Sequence, residues 1–340
     1  MTAAPPGAET AGRRSEGPVL CVGETMALVV PRDGQSLQTS DALELGNAGA
    51  ESNVAISLAR LGTVGSWASR LGDDPLGRRV VGQVEALGAT VDLVELDPTA
   101  PTGVMFKDPR PNGSPVHYYR AGSAASRMTP DFATAVLATD PRWVHTSGVT
   151  SGLSLSCRQT VTALLDGARA HGIGTSFDIN YRPAIWRDLA TAARVIADAA
   201  SRAEVVLVGL DEAERLWGCT TEEDVRRILP GVPTIVVKNG AQDATSLGRT
   251  GRTTVPALPV DVVEPVGAGD AFAAGYLHAH LLGLEDAAKL RLGHLMAGIA
   301  LRSHSDQGEL PTTPDDLVAR AVSGEDWPAT ARTAELRPPL

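Results

Sequence analysis

The stretch Val262-Val263-Glu264-Pro265-Val266-Gly267-Ala268-Gly269-Asp270-Ala271-Phe272-Ala273-Ala274-Gly275-Tyr276 reads as an extended segment that turns abruptly into a helix. Two β-branched residues lead towards a proline, Gly-Ala-Gly-Asp follows, and small residues and good helix formers come next. The first turn of such a helix carries backbone N–H groups with no intrahelical partner, and its dipole favours negative charge. Gly267, Ala268 and Gly269 have almost no side chain, so an anion can approach those N–H groups closely. Asp270 falls beside the same spot. A carboxylate repels a phosphate, so its place there points to proton transfer: it can take a proton from a hydroxyl that attacks a phosphoryl group. The bland alternatives are a tight turn and a first-turn acid that complements the dipole. A dinucleotide fingerprint needs a third glycine where Phe272 stands and a following βαβ unit, whereas more helical sequence follows here.

Upstream, short apolar runs alternate with helical patterns. Val19-Leu20-Cys21-Val22 ends at Gly23 and suits a buried central strand. Extended segments follow at Met26 to Val30 and Asp41 to Leu45, and a helix follows the run from Gly46 to Asn53, with Val54, Leu58 and Leu61 on one face. Further strands fall at Val64 to Ala68, Val91 to Leu96, Trp143 to His145, Ile173 to Ile179, Val205 to Val208 and Thr234 to Val237. Helices fall between them, among them Leu155 to Ala170, and two close the pattern, from Ala268 to about Leu282 and from Glu285 to about Arg302. This βαβ rhythm predicts an α/β fold, a parallel sheet covered by helices on both faces. The rhythm breaks at Thr102 to Lys107 and Val116 to Ala121, a hairpin that, with residues from about 26 to 46, makes a small second sheet. Such a sheet serves as a lid over the strand ends, where α/β enzymes bind ligands. Alternation puts Val116, Tyr118 and Arg120 on one side of the second hairpin strand. At the end of another strand, Asp178, Asn180 and Arg182 project to one side if the chain stays extended.

The 340 residues allow one large or two modest domains. A formal net charge of −10 argues against nonspecific nucleic-acid binding and against an anionic membrane surface. An acidic protein that handles anionic ligands must place its cations locally. Three widely spaced cysteines, Cys21, Cys157 and Cys219, fit no metal pattern and read as buried thiols in a reducing cytosol. No apolar run approaches the roughly 20 residues of a membrane span. Residues 1–18 and 323–340 read as tails flanking one domain from 19 to 322, with the lid at about 26–46 and 99–121. A cytoplasmic location is expected.

With these pieces placed, the sequence resembles the PfkB-type, ribokinase-like carbohydrate kinase family over Val19 to about Ala321. Gly267-Ala268-Gly269-Asp270 carries the resemblance near the C-terminal end, and Gly49-Ala50-Glu51-Ser52-Asn53-Val54-Ala55 carries it near the N-terminal end. Within the family it is most similar to the 2-keto-3-deoxygluconate kinases, through Tyr118-Tyr119-Arg120-Ala121-Gly122-Ser123-Ala124, Asp178-Ile179-Asn180-Tyr181-Arg182, the stretch from Glu264 to Tyr276, and Asp306-Gln307-Gly308.

The resemblance implies a ribokinase-like three-layer α/β/α fold, with a mostly parallel central sheet and a small β-sheet lid. It implies ATP and Mg2+ as cofactors and phosphorylation of a small sugar acid. It also implies roles. Asp270 is the base, and Gly267, Ala268 and Gly269 form the anion hole. Gly49 and Asn53 hold sugar hydroxyls, and Tyr118, Arg120 and Arg182 recognise the sugar acid. Asn180, Lys238 and Gly240 lie along the nucleotide with the glycines of the anion hole, and His294 lies near the adenine. Glu212 helps to place magnesium, through water.

An arginine grips a carboxylate bidentately where a neutral-sugar kinase needs only hydroxyl partners. The sequence departs from the family pattern at Ala48, Met105, Gly209, Glu264 and His294. A kinase for a neutral sugar such as fructose or ribose is the close alternative, and a non-catalytic sugar sensor is the alternative from another class. One exposed face of the lid suggests a homo-oligomer, a dimer through the lids.

Overall fold

The computed structural model describes residues 17–110, 114–249, 251–303, 308–325 and 327. The tail expectations for 1–16 and 328–340, and the motif residues Asp306 and Gln307, lie outside them.

The chain opens with strands β1 (Val19–Val22), β2 (Met26–Pro31) and β3 (Leu43–Ala48), then helix α1 (Ala50–Arg60). Next come β4 (Gly65–Gly72), α2 (Pro75–Ala86), β5 (Thr90–Asp97), β6 (Val104–Lys107) and β7 (Val116–Tyr119). The middle of the chain holds α3 (Pro130–Leu137), β8 (Trp143–Ser147), α4 (Gly148–Leu153), α5 (Leu155–Ala170), β9 (Gly174–Asp178) and α6 (Leu189–Ala200). There follow β10 (Val205–Gly209), α7 (Leu210–Trp217), α8 (Glu222–Ile228), β11 (Thr234–Asn239), β12 (Asp243–Leu247) and β13 (Arg252–Pro256). Three helices end the chain: α9 (Ala268–Leu281), α10 (Asp286–Leu301) and α11 (Pro314–Ser323).

A nine-stranded sheet has the order β13-β12-β11-β10-β9-β8-β1-β4-β5. Its pairs from β11 to β5 are parallel, while β12 and β13 add an antiparallel edge. The side-chain period of two divides each central strand between the two faces. In β1, Val19 and Cys21 join the core under α1, α2, α9, α10 and α11, while Leu20 and Val22 join the core under α3 and α5. In β10, Val205 and Leu207 face the first of these layers, and Val206 and Val208 pack with α6, α7 and α8 on the opposite side. Each such side chain, taken fully out of water, contributes about 1.5–3 kcal/mol, which is why the central strands read as unbroken apolar runs.

The second sheet has four strands in the order β3-β2-β6-β7. One of its faces carries Met26, Ala48 and Met105 with Leu28 and Val116. Leu43, Leu45 and Tyr119 are exposed on the other, and Tyr119 packs edge-on against Phe106.

Several boundaries differ from the sequence expectation. Strand β3 covers Leu43–Ala48, later than Asp41 to Leu45, and α1 starts at Ala50, so Glu51, Ser52 and Asn53 are helical. Those polar residues mimic a loop, yet all three are buried and turn towards the strand ends. Helix α4 was hidden by its glycines; Ser147 caps it by accepting a hydrogen bond from the Val149 N–H at 3.1 Å. The run Asp178-Asn180-Arg182 is not one extended edge. The strand stops at Asp178, and Asn180 takes the left-handed region with φ of 38°. Asparagine tolerates that conformation better than most residues.

Candidate active site

The carboxyl ends of β1, β8, β9, β10 and β11 converge with the N-termini of α1 and α9. Gly267 is the residue that starts α9. Its φ of 82° is left-handed, where glycine is at ease, and this turn lets the chain enter the helix abruptly. Ala271 N–H closes back onto Gly267 C=O at 2.9 Å. The N–H groups of Ala268, Gly269 and Asp270 belong to the first turn, so no helical carbonyl precedes them. Gly269 is exposed, and the Nζ of Lys238 lies 3.6 Å from where a Cβ on it would be.

Asp270 is held from two sides. Asn53 Nδ2 donates to Oδ2 at 2.9 Å, and Asn180 Nδ2 donates to Oδ1 at 3.3 Å. Asn53 comes from the first turn of α1 and Asn180 from the end of β9, so three distant segments meet at one carboxylate. The left-handed turn at Asn180 aims its amide there, and the Asn180 N–H is fixed by Asp178 Oδ1 at 3.2 Å.

Behind this group lies a set of charges around the buried Asp178. Lys238, at the end of β11, donates to Asp178 Oδ2 at 3.0 Å. Burial alone lowers an ammonium pKa; the Asp178 and Glu212 carboxylates outweigh it and hold Lys238 above its ordinary value, firmly charged. Glu212 is shifted up by burial and by the Asp178 charge, against the pull of Lys238. Its oxygens accept from the backbone N–H groups of Tyr181 and Gly209, each at 2.9 Å. The second bond is half of a capping box, because Gly209 has no side chain to return it. A Cβ at Gly209 would come within 2.6 Å of Asp211 Oδ1 and 3.1 Å of Glu212 Oε2. Arg182 stands half-exposed, with Nη1 3.7 Å from Glu212 Oε1. Gly240 follows in a left-handed turn with open space around it.

Among the described residues, no three or more His, Cys, Asp or Glu side chains cluster as a metal cage. Glu212 already spends both oxygens on backbone donors. These residues would suit a Mg2+ that arrives with the nucleotide, which Glu212 would help to place through water.

Among the described residues, two ion pairs stand where the lid meets the body. Lys107, on the inner face of β6, pairs with Glu264, and Glu264 Oε1 also accepts from the Val266 N–H at 3.2 Å, just ahead of the α9 turn. Arg120, after β7, pairs with Glu24 and lies 5.7 Å from the Tyr118 ring centroid. Tyr118 pairs in register with Met105 on the inner face. Gly49 fits tightly against the same corner: a Cβ there would lie 2.3 Å from Thr25 Oγ1 and 2.6 Å from Glu24 C=O.

His294 stands apart from this constellation. It is buried on α10, with Nε2 3.1 Å from Val255 C=O and its ring edge-on to Phe272. Burial pushes its pKa down to about 4, so the ring is neutral. Residue-level reading gave Glu24 and Lys107 no role. An acid directly after a strand end was the available signal for Glu24; nothing local marks Lys107, whose partner lies 157 residues away. The cysteines Cys21, Cys157 and Cys219 are buried free thiols. Among the described residues, no helix is long and apolar enough to cross a membrane.

Known proteins share this architecture. The model of the pfkB family carbohydrate kinases matches residues 18–313. A 2-dehydro-3-deoxygluconokinase of Thermoproteus tenax is 35% identical over 271 residues, covering 78% of this chain and 82% of the relative. A 2-dehydro-3-deoxygalactonokinase of Haloferax volcanii is 32% identical over 326 residues, covering 89% and 96%. The crystal structure of a PfkB protein from Polaromonas sp. JS666 superposes with a TM-score of 0.80 at 36% identity, covering 89% of this chain and all of that one. The glycine turn, the aspartate beside it and the lidded three-layer fold thus have one source: the chain belongs to the pfkB family of carbohydrate kinases.

Proposed function

We propose that the protein transfers a phosphoryl group from ATP to a primary hydroxyl of a small sugar acid, 2-keto-3-deoxygluconate being the best match, to give its 6-phosphate. The single observation that carries the chemistry is the Asp270 carboxylate, held by Asn53 and Asn180 at the first turn of α9. A sugar hydroxyl that replaces one amide donor hands its proton to Asp270 as it attacks. The N–H groups after Gly267 face the charge that builds on the phosphoryl group, and Lys238 adds a cation beside Gly269. Mg2+ bound to the nucleotide supplies further neutralisation of phosphate charge. The names of the relatives support the acid class of substrate, as does an arginine at the inner corner of the lid.

Gly49, Asn53, Tyr118, Arg120 and Arg182 are assigned to the sugar. Asn180, Lys238, Gly240, Gly267, Gly269 and His294 are assigned to the nucleotide, and Glu212 to magnesium through water. The exposed face with Leu43, Leu45 and Tyr119 suits a dimer through the lids. The proposal places the enzyme in the cytosol, where ATP and reduced thiols are available.

The test is an ATP-dependent phosphorylation assay across 2-keto-3-deoxygluconate, 2-keto-3-deoxygalactonate, fructose and ribose. The proposal expects kcat/KM to be highest for the keto acids. A higher value for a neutral sugar overturns the acid assignment and leaves the kinase chemistry in place. Sugar binding with no ATP consumption on any of them favours the sensor.

A further inference from the structure

Every chain crossing between the two sheets passes one corner. The chain leaves the large sheet at Gly23-Glu24-Thr25 and returns at Gly49; it leaves again at Pro101 to Gly103 and returns from Arg120 to Ala124. Backbone bonds stitch these crossings together, with Ala27 N–H on Gly103 C=O and Ala124 N–H on Pro101 C=O, both at 2.9 Å. Glu24 sits in the middle. Its side chain is wholly buried. Ser123 Oγ donates to its Oε1 at 2.5 Å, and Arg120 Nη2 lies against its Oε2 as an ion pair without an aligned hydrogen bond. A Cβ on Gly103 would come within 2.8 Å of Oε1 and 3.4 Å of Arg120 Cβ, so the glycine makes room for the pair.

The Arg120 side chain is 10% exposed, and its Nε–H has no hydrogen-bond partner among the described residues. A cation so nearly buried needs a counter-charge, or it is strongly disfavoured. Glu24 supplies that charge at Nη2, and the tenth of the side chain that stays exposed is the part a ligand can reach. The cost is a carboxylate near the place where a substrate carboxylate is assigned, so the pair contributes orientation more than net attraction.

We propose that Glu24 is a positioning residue for substrate selection: it fixes Arg120 at the corner where all four crossings meet, so that the exposed part of its side chain is set for the carboxylate of a sugar acid. This rests on the sugar-acid assignment above. Glu24 acts through Arg120 and does not itself touch the reacting atoms.

The experiment compares wild type, E24Q, S123A and R120A on 2-keto-3-deoxygluconate and on its methyl ester, which keeps the sugar and removes the charge. Thermal melts run in parallel, and S123A covers the case in which E24Q does not fold. The expected result is a drop of about tenfold or more in kcat/KM for the acid in E24Q, mostly through KM, against about threefold or less for the ester. S123A moves the same ratio in the same direction by less. If R120A loses acid preference while E24Q, or S123A in its place, keeps it, the positioning role is overturned and the sugar-acid assignment stands. A fall in KM for the acid in E24Q also overturns it, since Glu24 would then be only an opposing charge. If wild type shows no preference for the acid over the ester, the sugar-acid assignment fails and the inference falls with it.

Discussion

The body of the cleft and the corner of the lid both hold buried charges, but they hold them differently. In the body, each carboxylate has several partners rooted in rigid elements: Asp270 takes two amides, Asp178 takes Lys238 and the Asn180 N–H, and Glu212 takes two backbone donors. At the lid, Lys107–Glu264 joins β6 to the loop before α9 and Arg120–Glu24 joins two of the segments that connect the sheets, each carboxylate holding one cation and one further donor, the Val266 N–H and the Ser123 hydroxyl. The difference assigns tasks. A network shared among several strands and helices suits charge stabilisation that must not reorganise during reaction. Contacts between the small sheet and the body are those that a closing lid would make and break.

If this division is right, changes in the body strike turnover or folding, and changes at the lid strike substrate use. The largest effect is expected from Asp270→Asn, which keeps the two amide neighbours and removes the base. Turnover should fall about 10²–10⁴-fold while ATP still binds. Near-normal turnover would take Asp270 out of its role. Lys238→Met comes next. It leaves Asp178 without its cation and Glu212 with the half-exposed Arg182, and chemical denaturation should show a loss of about 3 kcal/mol. A loss below 1 kcal/mol would mean that the body network is no more rigid than the lid pairs.

Lys107→Met should be milder. It removes one contact between β6 and the loop before α9, worth about 1 kcal/mol or a factor of about five. That factor should appear in KM, with kcat changed less. An equal loss in kcat would place Lys107 in the chemistry and blur the division.

Acid tests the same division without any substitution. His145, His278 and His294, all in the body, are pushed down to about 4 by burial. The unfolded chain takes up their protons near pH 6.5 and the folded chain does not. Their contribution to stability is therefore complete above pH 6.5 and is lost as pH falls towards 4. Asp108 in the lid is shifted the other way, down to about 2, by the Leu37 N–H and Arg110, so its contribution persists until pH drops below the usual carboxylate range. Thermal melts across pH 7 to 4 should show the body weakening while lid contacts persist. A melting temperature unchanged between pH 7 and 4 would contradict the buried, neutral histidines.

Much of this was legible in the chain. The central strands announced themselves because burial on both faces demands unbroken apolar runs, as in Val205 to Val208. The α9 turn was legible because Gly267 and Gly269 leave backbone bare beside an acid. The start of α1 was not, because Glu51, Ser52 and Asn53 look like a loop by composition and are helical and buried by context. The Asp178-Asn180-Arg182 run misled for another reason: a period of two holds only while the chain stays extended, and Asn180 leaves it. Glu24 and Lys107 escaped notice because a long-range ion pair leaves no local pattern. Only the fold brings Lys107 to Glu264 and Arg120 to Glu24.

The central claim is that the first-turn amides of α9 and the Asp270 carboxylate meet the transferred phosphoryl group and the attacking hydroxyl from opposite sides. A crystal structure with a non-hydrolysable ATP analogue and 2-keto-3-deoxygluconate tests this most directly. The account predicts terminal phosphate oxygens within hydrogen-bond distance of the N–H groups of residues 268–270, and the primary hydroxyl on an Asp270 oxygen. A terminal phosphate bound elsewhere, or a sugar that leaves Asp270 still clasped only by Asn53 and Asn180, would contradict it.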